Sequence, residues 1–305
     1  MVPFLLRRLL SAVPVVLGVT LLAFSMSHLT PGDPVRIMLG ERATAEDVAR
    51  LRQQLGLDRP LPVQYLSYVG RAAQGDLGTS IRSGQPVAKE IADRVGATAA
   101  LTGAAMAIAI VLGVSLGTFA AVSRSAALEA AIMGFALLGI SMPTFWSGLL
   151  FILLFALVLD WLPVTGTGLQ GLILPAVTLA LPAAAVLARM TRSSLLEVLN
   201  QDFVRTARSK GLHGSVVVAK HALRNAFIPV LTIVGLQFGG LMAGSVIVES
   251  VFARAGLGRF AVNAILARDF PQIQGIVLFA GLVYVVVNML VDLAYGALDP
   301  RIQAR

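Results

Sequence analysis

QDFVRTARSKGLHGSVVVAKHALRNAFIP, Gln201 to Pro229, is a basic, polar island between long apolar runs. Asp202 is placed to cap a helix starting at Phe203, because a carboxylate there accepts from the free amides of the first turn. Arg208 and Lys210 fall in the last turn, where cations suit the negative end of the helix dipole, and Gly211 supplies a left-handed stop. Phe203, Ala207 and Gly211 recur every four residues, which predicts one narrow close-packing face with Arg205 and Arg208 pointing elsewhere. A short, rigid, basic helix of this kind suits two settings: holding another protein, or lying on the surface of a membrane leaflet.

The rest of the chain says what the island interrupts. With 57% hydrophobic and 13% charged residues, and a mean hydropathy of +0.83, the composition is that of an integral membrane protein. Six stretches have the length needed to cross roughly 30 Å of hydrocarbon as helices: 9–29, 97–122, 130–159, 172–190, 226–248 and 273–298. The expected fold is all-α, a single six-helix bundle spanning 1–305. Arg7 and Arg8 precede the first run, which is too long for the h-region of a signal peptide, so a retained helix is expected. The absence of cysteine removes disulfides, thiolate metal sites and cysteine nucleophiles together.

Orientation follows from the short loops. Arg7 and Arg8, together with the bases of 201–225, favour both termini in the cytoplasm. The inner rim then carries Arg124, Arg189, Arg192, Arg205, Arg208, Lys210, Lys220, Arg224, Arg301 and Arg305, opposed only by Glu129, Glu197, Asp202 and Asp299. Anionic lipid accounts for that rim, and the overall +8 calls for no nucleic acid. The segment 30–96 reads as a small ordered outer subdomain, punctuated by Pro31, Pro34, Pro60 and Pro62. In it Leu61, Val63, Tyr65, Leu66 and Val69 are expected to pack onto the helix tops. It serves either as a cap on the bundle or as a docking surface for an external partner.

Polar residues inside a membrane are costly and therefore informative. Ser141 and Thr144 around Pro143, Gln237, Asn288 and Glu249 are the candidates to line a passage, and each has interhelical hydrogen bonding as its plainer role. Glu249 is expected to open an outer loop, ESVFARAGLGRF. Asp292 is read as structural, paired with a base such as Arg189 or Arg192, and Asp299 before Pro300 marks a helix end. Pro143, Pro175 and Pro182 should kink or interrupt their helices, with the freed carbonyls satisfied by neighbours or water. Gly235, Gly239, Gly240 and Gly244 have the spacing that brings backbones close. His28, His213 and His221 lack ligand spacing, and no HExxH, GxSxG or paired-carboxylate pattern occurs, so an enzyme is not expected.

The basic island resembles the cytoplasmic loop motif of ABC importer permeases: glutamate, two alanines, then glycine four positions after the second alanine. Here the motif reads Arg205, Thr206, Ala207 and Gly211, and the downstream leucine and proline fall on Leu223 and Arg224. These departures match the dipeptide, oligopeptide and nickel permease family, whose loop is similar to DFVRTARSKGL followed by HALRNAFIP. The same resemblance appears in LTPGDPV at 29–35, GDLGTS at 75–80, SMPTF at 141–145 and DLAYGALDPR at 292–301, ending on Arg301, so it covers the whole chain.

That resemblance implies a type I ABC importer permease fold in a bacterial inner membrane. It implies a second homologous permease subunit, two cytoplasmic ATPase subunits that bind ATP and magnesium, and an extracytoplasmic substrate-binding protein. Asp202, Phe203, Arg205, Thr206, Ala207, Arg208, Lys210, Gly211 and Leu212 would form the coupling helix seated on an ATPase. For Arg205, Arg208 and Lys210 the other reading is contact with anionic lipid. No GxxxxGK[ST] phosphate loop is present, so energy must arrive by contact. The implied cargo is peptide, with nickel or oligosaccharide as alternatives. From a different class of function, a homo-oligomeric channel whose basic loop binds lipid also fits the residues.

Overall fold

The computed structural model describes residues 2–29, 34–39, 44–54, 56–166 and 168–298. Its elements are α1 (Val2–Leu29), α2 (Pro34–Leu39), α3 (Ala45–Gln54), α4 (Leu61–Ala73), α5 (Val87–Val122), α6 (Ala126–Ser141), α7 (Thr144–Phe151), α8 (Gln170–Leu199), α9 (Asp202–Ser209), α10 (Gly214–Val216), α11 (Leu223–Val251), α12 (Leu257–Leu266) and α13 (Phe270–Leu298). Two π-helical segments, Ile152–Val158 and Val217–Ala222, follow α7 and precede α11. Among the described residues the only β-structure is an isolated bridge between Thr79 and Pro86.

Four helical stretches are long and apolar enough to cross a membrane by themselves: Val87–Val122, Gln170–Leu199, Gly214–Val251 and Phe270–Val291. A fifth arises only if α6 and the helix after it count as one span, and that pair is bent by 107°. The stretch 130–159 is thus two helices. Pro143 is the cause, since a residue before proline is pushed out of the helical region; Met142 lies at φ −79°, ψ 126°. In α1 the apolar part is Leu10–Met26. The LTPGDPV motif, Asp299, Arg301 and the side chains of Arg7, Arg8, His28 and Asp292 fall wholly or largely outside the described residues.

The chain forms two compact units, 97–254 with 290–305, and 1–96 with 255–289. In the unit containing 97–254, α8 is the axis. Of its apolar window 67% is buried, against 28% for α5 and 22% for the span containing α11. Leu101, Ala105 and Ala109 of α5, Leu179, Ala183 and Leu187 of α8, and Val230, Leu241 and Val248 of α11 make the core. The closest approach uses Gly113 and Gly117 of α5. A Cβ on Gly117 would lie 2.4 Å from the Ala188 carbonyl oxygen, and one on Gly113 would lie 2.5 Å from Leu187 Cβ. These small residues, four apart, let the two backbones nearly touch. The glycines of α11 are used differently: Gly235 packs on Val291 and Gly244 on Leu179.

Pro175 and Pro182 lie inside α8 without ending it. Pro175 has no N–H to offer the Gly171 carbonyl four residues back. Arg254 Nη1 donates to that oxygen instead, at 3.0 Å. The neighbour expected to satisfy a proline-freed carbonyl is therefore a cation. Arg192 pairs with Glu129 of α6; the pairing expected of Asp292 lies outside the described residues.

The other unit has an apolar core of Val87, Ile91, Leu257, Phe260, Ala264 and Ile276, and a second cluster around Ala23, Tyr68 and Leu278. A buried polar knot sits beside the first. Ser80 Oγ donates to Asp269 Oδ2 at 2.6 Å, and the Arg82 amide donates to the same oxygen at 3.1 Å. Gln272 Nε2 donates to Ser80 Oγ at 2.9 Å and to Glu90 Oε2 at 2.7 Å. The GDLGTS turn is thereby tied to the start of α13. Just before α3 the Thr44 hydroxyl and amide donate to Asp47 Oδ2, and these hydrogen bonds hold the Asp47 carboxyl below its ordinary value.

Three substitutions test this packing. Gly117→Val should destabilise the detergent-solubilised protein by roughly 1 to 3 kcal/mol through overpacking against backbone. Gly134→Ala, where a Cβ meets nothing within 4 Å, should leave thermal unfolding unchanged or raise its midpoint slightly. Asp269→Asn replaces an acceptor facing two donors and should cost about 1 to 3 kcal/mol, with increased proteolysis within 75–86 as the local readout.

Candidate functional site

The basic island folds as α9, α10 and a π-helical segment leading into α11. Asp202 is the first residue of α9 and does not cap it. Gln201 occupies the cap position at φ −79°, ψ 154°, without a side-chain bond. Asp202 instead lies 3.7 Å from Arg205, with both side chains in solvent, a pairing of little energetic weight. The stop is as expected: Gly211 has φ +77°, and its amide donates to the Arg208 carbonyl at 2.9 Å.

The buried face of α9 differs from the expected one. Val204 and Ala207 are buried, whereas Phe203 is 38% exposed and Gly211 has open space around it. Val204 and Ala207 join Ala121, Leu195, Val198, Val217, Ala222 and Ala226 in one cluster. The ends of α5 and α8 and the start of α11 therefore grip α9 through two small side chains. Periodicity pointed to Phe203 because its size outweighed Val204, and the 100° rotation between them changes which side docks. Ser194 Oγ donates to the Ala226 carbonyl at 2.9 Å, adding a buried polar tie between α8 and α11. Asp202, Phe203, Arg205, Thr206, Arg208, Lys210, Gly211 and Leu212 all remain exposed.

The passage candidates separate. Ser141, Pro143 and Thr144 meet at the α6–α7 break, with Ser141 exposed and Thr144 half-buried. Gln237 is half-buried in α11, and Asn288 Nδ2 donates to the Tyr284 carbonyl of its own helix at 3.0 Å. Glu249 does not open a loop. It lies in the last turn of α11, wholly buried, and accepts from Thr98 Oγ1 of α5 at 2.6 Å. The helix ends two residues later in a left-handed turn at Ala253, φ +52°, where the Arg254 amide donates to the Glu249 carbonyl at 2.8 Å. Among the described residues no three His, Cys, Asp or Glu side chains converge as a metal site.

Residues 113–304 match the binding-protein-dependent transport system inner membrane component family. Residues 1–102 match its N-terminal membrane-component region. The chain is 46% identical over 304 residues to the glutathione transport system permease protein GsiC of Salmonella typhi, covering 99% of each chain. It is 44% identical over 304 residues to the protein of the same name from Escherichia coli K12, again with 99% coverage of both. Its fold matches an inward-facing structure of the MetNI methionine ABC transporter with a TM-score of 0.59, at 18% identity over 68% of this chain and 96% of that one. An amino acid ABC transporter crystallised with histidines matches with a TM-score of 0.51, at 16% identity over 70% and 94% of the two chains. The chain belongs to the binding-protein-dependent transport system inner membrane component family, and is a multi-pass permease subunit of an ABC importer that carries no enzymatic activity of its own.

Proposed function

We propose that this subunit imports short peptides, glutathione-sized tripeptides among them, by alternating access at an interface with a second, homologous permease. Identity of 46% across 304 residues to a permease named for glutathione supports the peptide reading. Both termini and α9 face the cytoplasm, where two ATPase subunits bind ATP and magnesium, and a substrate-binding protein delivers cargo on the other side.

The observation that carries the coupling role is the seating of α9. Its apolar stripe, Val204 and Ala207, is spent on the protein's own core. The face turned away carries Asp202, Arg205, Thr206 and Ser209, with exposed Phe203 at its edge. A polar face, with exposed Arg208 and Lys210 beside it, on a helix packed against α5, α8 and α11 suits a cleft on another protein. Swinging a two-state bundle from 99:1 one way to 99:1 the other takes about 5.5 kcal/mol of differential interaction, and a helix locked into three others passes such a bias on as rigid-body motion.

The test is ATP-dependent uptake into proteoliposomes holding the chain with its co-purified subunits and receptor, offered glutathione, a mixed peptide library, nickel and short oligosaccharides. Peptide accumulation is expected. Accumulation of metal or sugar alone would overturn the substrate, and flux without ATP would overturn the import mechanism. At Gly211 a side chain meets open space but strained backbone, costing about 1 to 2 kcal/mol for most residues. Gly211→Val should therefore uncouple ATP hydrolysis from uptake more severely than Gly211→Asn, which tolerates φ > 0, while Gly214→Ala should transport normally. Wild-type uptake by Gly211→Val would refute the coupling role.

A further inference from the structure

Of the five α4 residues expected to pack inward, only Tyr65 and Val69 do so. Tyr65, Tyr68, Val69 and Ala72 belong to the cluster with Ala23 of α1 and Leu278 of α13. Phe24 meets the Tyr65 ring edge-on at 5.6 Å, and the Tyr65 hydroxyl lies 2.8 Å from Thr20 Oγ1. Leu61, Val63 and Leu66 instead point outward, at 55%, 42% and 68% exposure. Around the helix, the face opposite the buried stripe consists of Val63, Leu66, Ser67, Gly70 and Arg71, whose single charge sits in the last turn. Helices facing water do not look like this, and α3 in the same segment shows the contrast, exposing Glu46, Asp47, Arg50 and Arg52.

Depth identifies what covers the face. The Tyr65 hydroxyl reaches the Leu17 carbonyl at 3.4 Å, and Leu17 lies near the middle of the apolar stretch Leu10–Met26. On α13, Val277 and Leu278 of the same cluster lie seven and eight residues beyond Phe270, where the apolar window Phe270–Val291 begins. At 1.5 Å per residue that is about 10 to 12 Å along the helix, most of the roughly 15 Å thickness of one hydrocarbon leaflet. A helix packed at that level has its outward face in acyl chains. Exposed Arg59 precedes the helix and exposed Arg71 lies in its last turn, where a long basic side chain can snorkel to the headgroups.

We infer that α4 is a lipid-contacting helix of the outer leaflet, with Val63, Leu66 and Gly70 against acyl chains, while α3 stands in water. The segment 30–96 is then partly a membrane element and not wholly a soluble cap. Because the chain has no cysteine, a single introduced thiol reports from one place. Leu66→Cys, Ser67→Cys and, as control, Arg50→Cys are labelled with bimane in the full chain, reconstituted in phosphatidylcholine and phosphatidylglycerol vesicles. Quenching by acyl-brominated phosphatidylcholine should be several-fold stronger at 66 and 67 than at 50, with iodide showing the reverse order. Equal iodide quenching at all three sites would overturn the inference. So would protection of 66 and 67 from both quenchers, the result expected if a protein partner or a second copy covers the face. None of these outcomes depends on which solute is transported.

Discussion

Inside hydrocarbon every backbone amide and carbonyl must find a partner within the protein, and α8 is where this chain presses hardest against that rule. It is the axial helix of its unit, its most buried, and it carries two prolines. One consequence is Arg254, whose guanidinium reaches the carbonyl orphaned by Pro175. A cation is a costly thing to half-bury, and a charge-assisted hydrogen bond to an otherwise stranded oxygen offsets both penalties at once. That bond ties the turn after α11 to the beginning of α8. The other consequence is the close packing of α5, where Gly113 and Gly117 leave no room for a Cβ beside α8. Dispersion between nearly touching backbones supplies the attraction that water-driven burial cannot supply in lipid.

The same axis explains why α9 is well placed to transmit force. It begins three residues after α8 ends, and Val204 and Ala207 lock it to the residues that terminate α5 and start α11. The pair Glu129–Arg192 adds a tie from α6 to α8 two turns before that end. The packing therefore joins α9 directly to three long helices. The break at Pro143 lies on the fourth element of this unit, where α6 and α7 are free to keep different directions.

Much of this was legible in the sequence. Composition fixed the membrane class, the left-handed stop at Gly211 followed from its place after a basic last turn, and motif order along the chain pointed to the family that its relatives confirm. What sequence alone missed has two causes: a misjudged face in α9 and hydrogen-bond partners distant in sequence. In α9 the four-residue recurrence of Phe203, Ala207 and Gly211 hid the smaller pair, Val204 and Ala207, that is buried. Glu249 looked like the start of a loop because a carboxylate ends an apolar run, whereas Thr98, 151 residues away in sequence, gives it a buried donor. Such long-range donors leave no local signal, and neither does the knot joining Ser80 to Asp269 and Gln272.

The two short amphipathic helices, α9 and α4, show how the buried face decides what each can meet. Both are apolar on one side by sequence. In α9 the protein takes the apolar stripe and leaves arginines, a threonine and an aspartate outward, a surface complementary to another polar protein. In α4 the protein takes the aromatic stripe through Tyr65 and Tyr68 and leaves leucine, valine and glycine outward, a surface that water would penalise at roughly 25 cal/mol per Å². The side each helix spends on its own fold separates a handle for a partner from a surface for lipid, and in both cases that choice is made by residues in other helices.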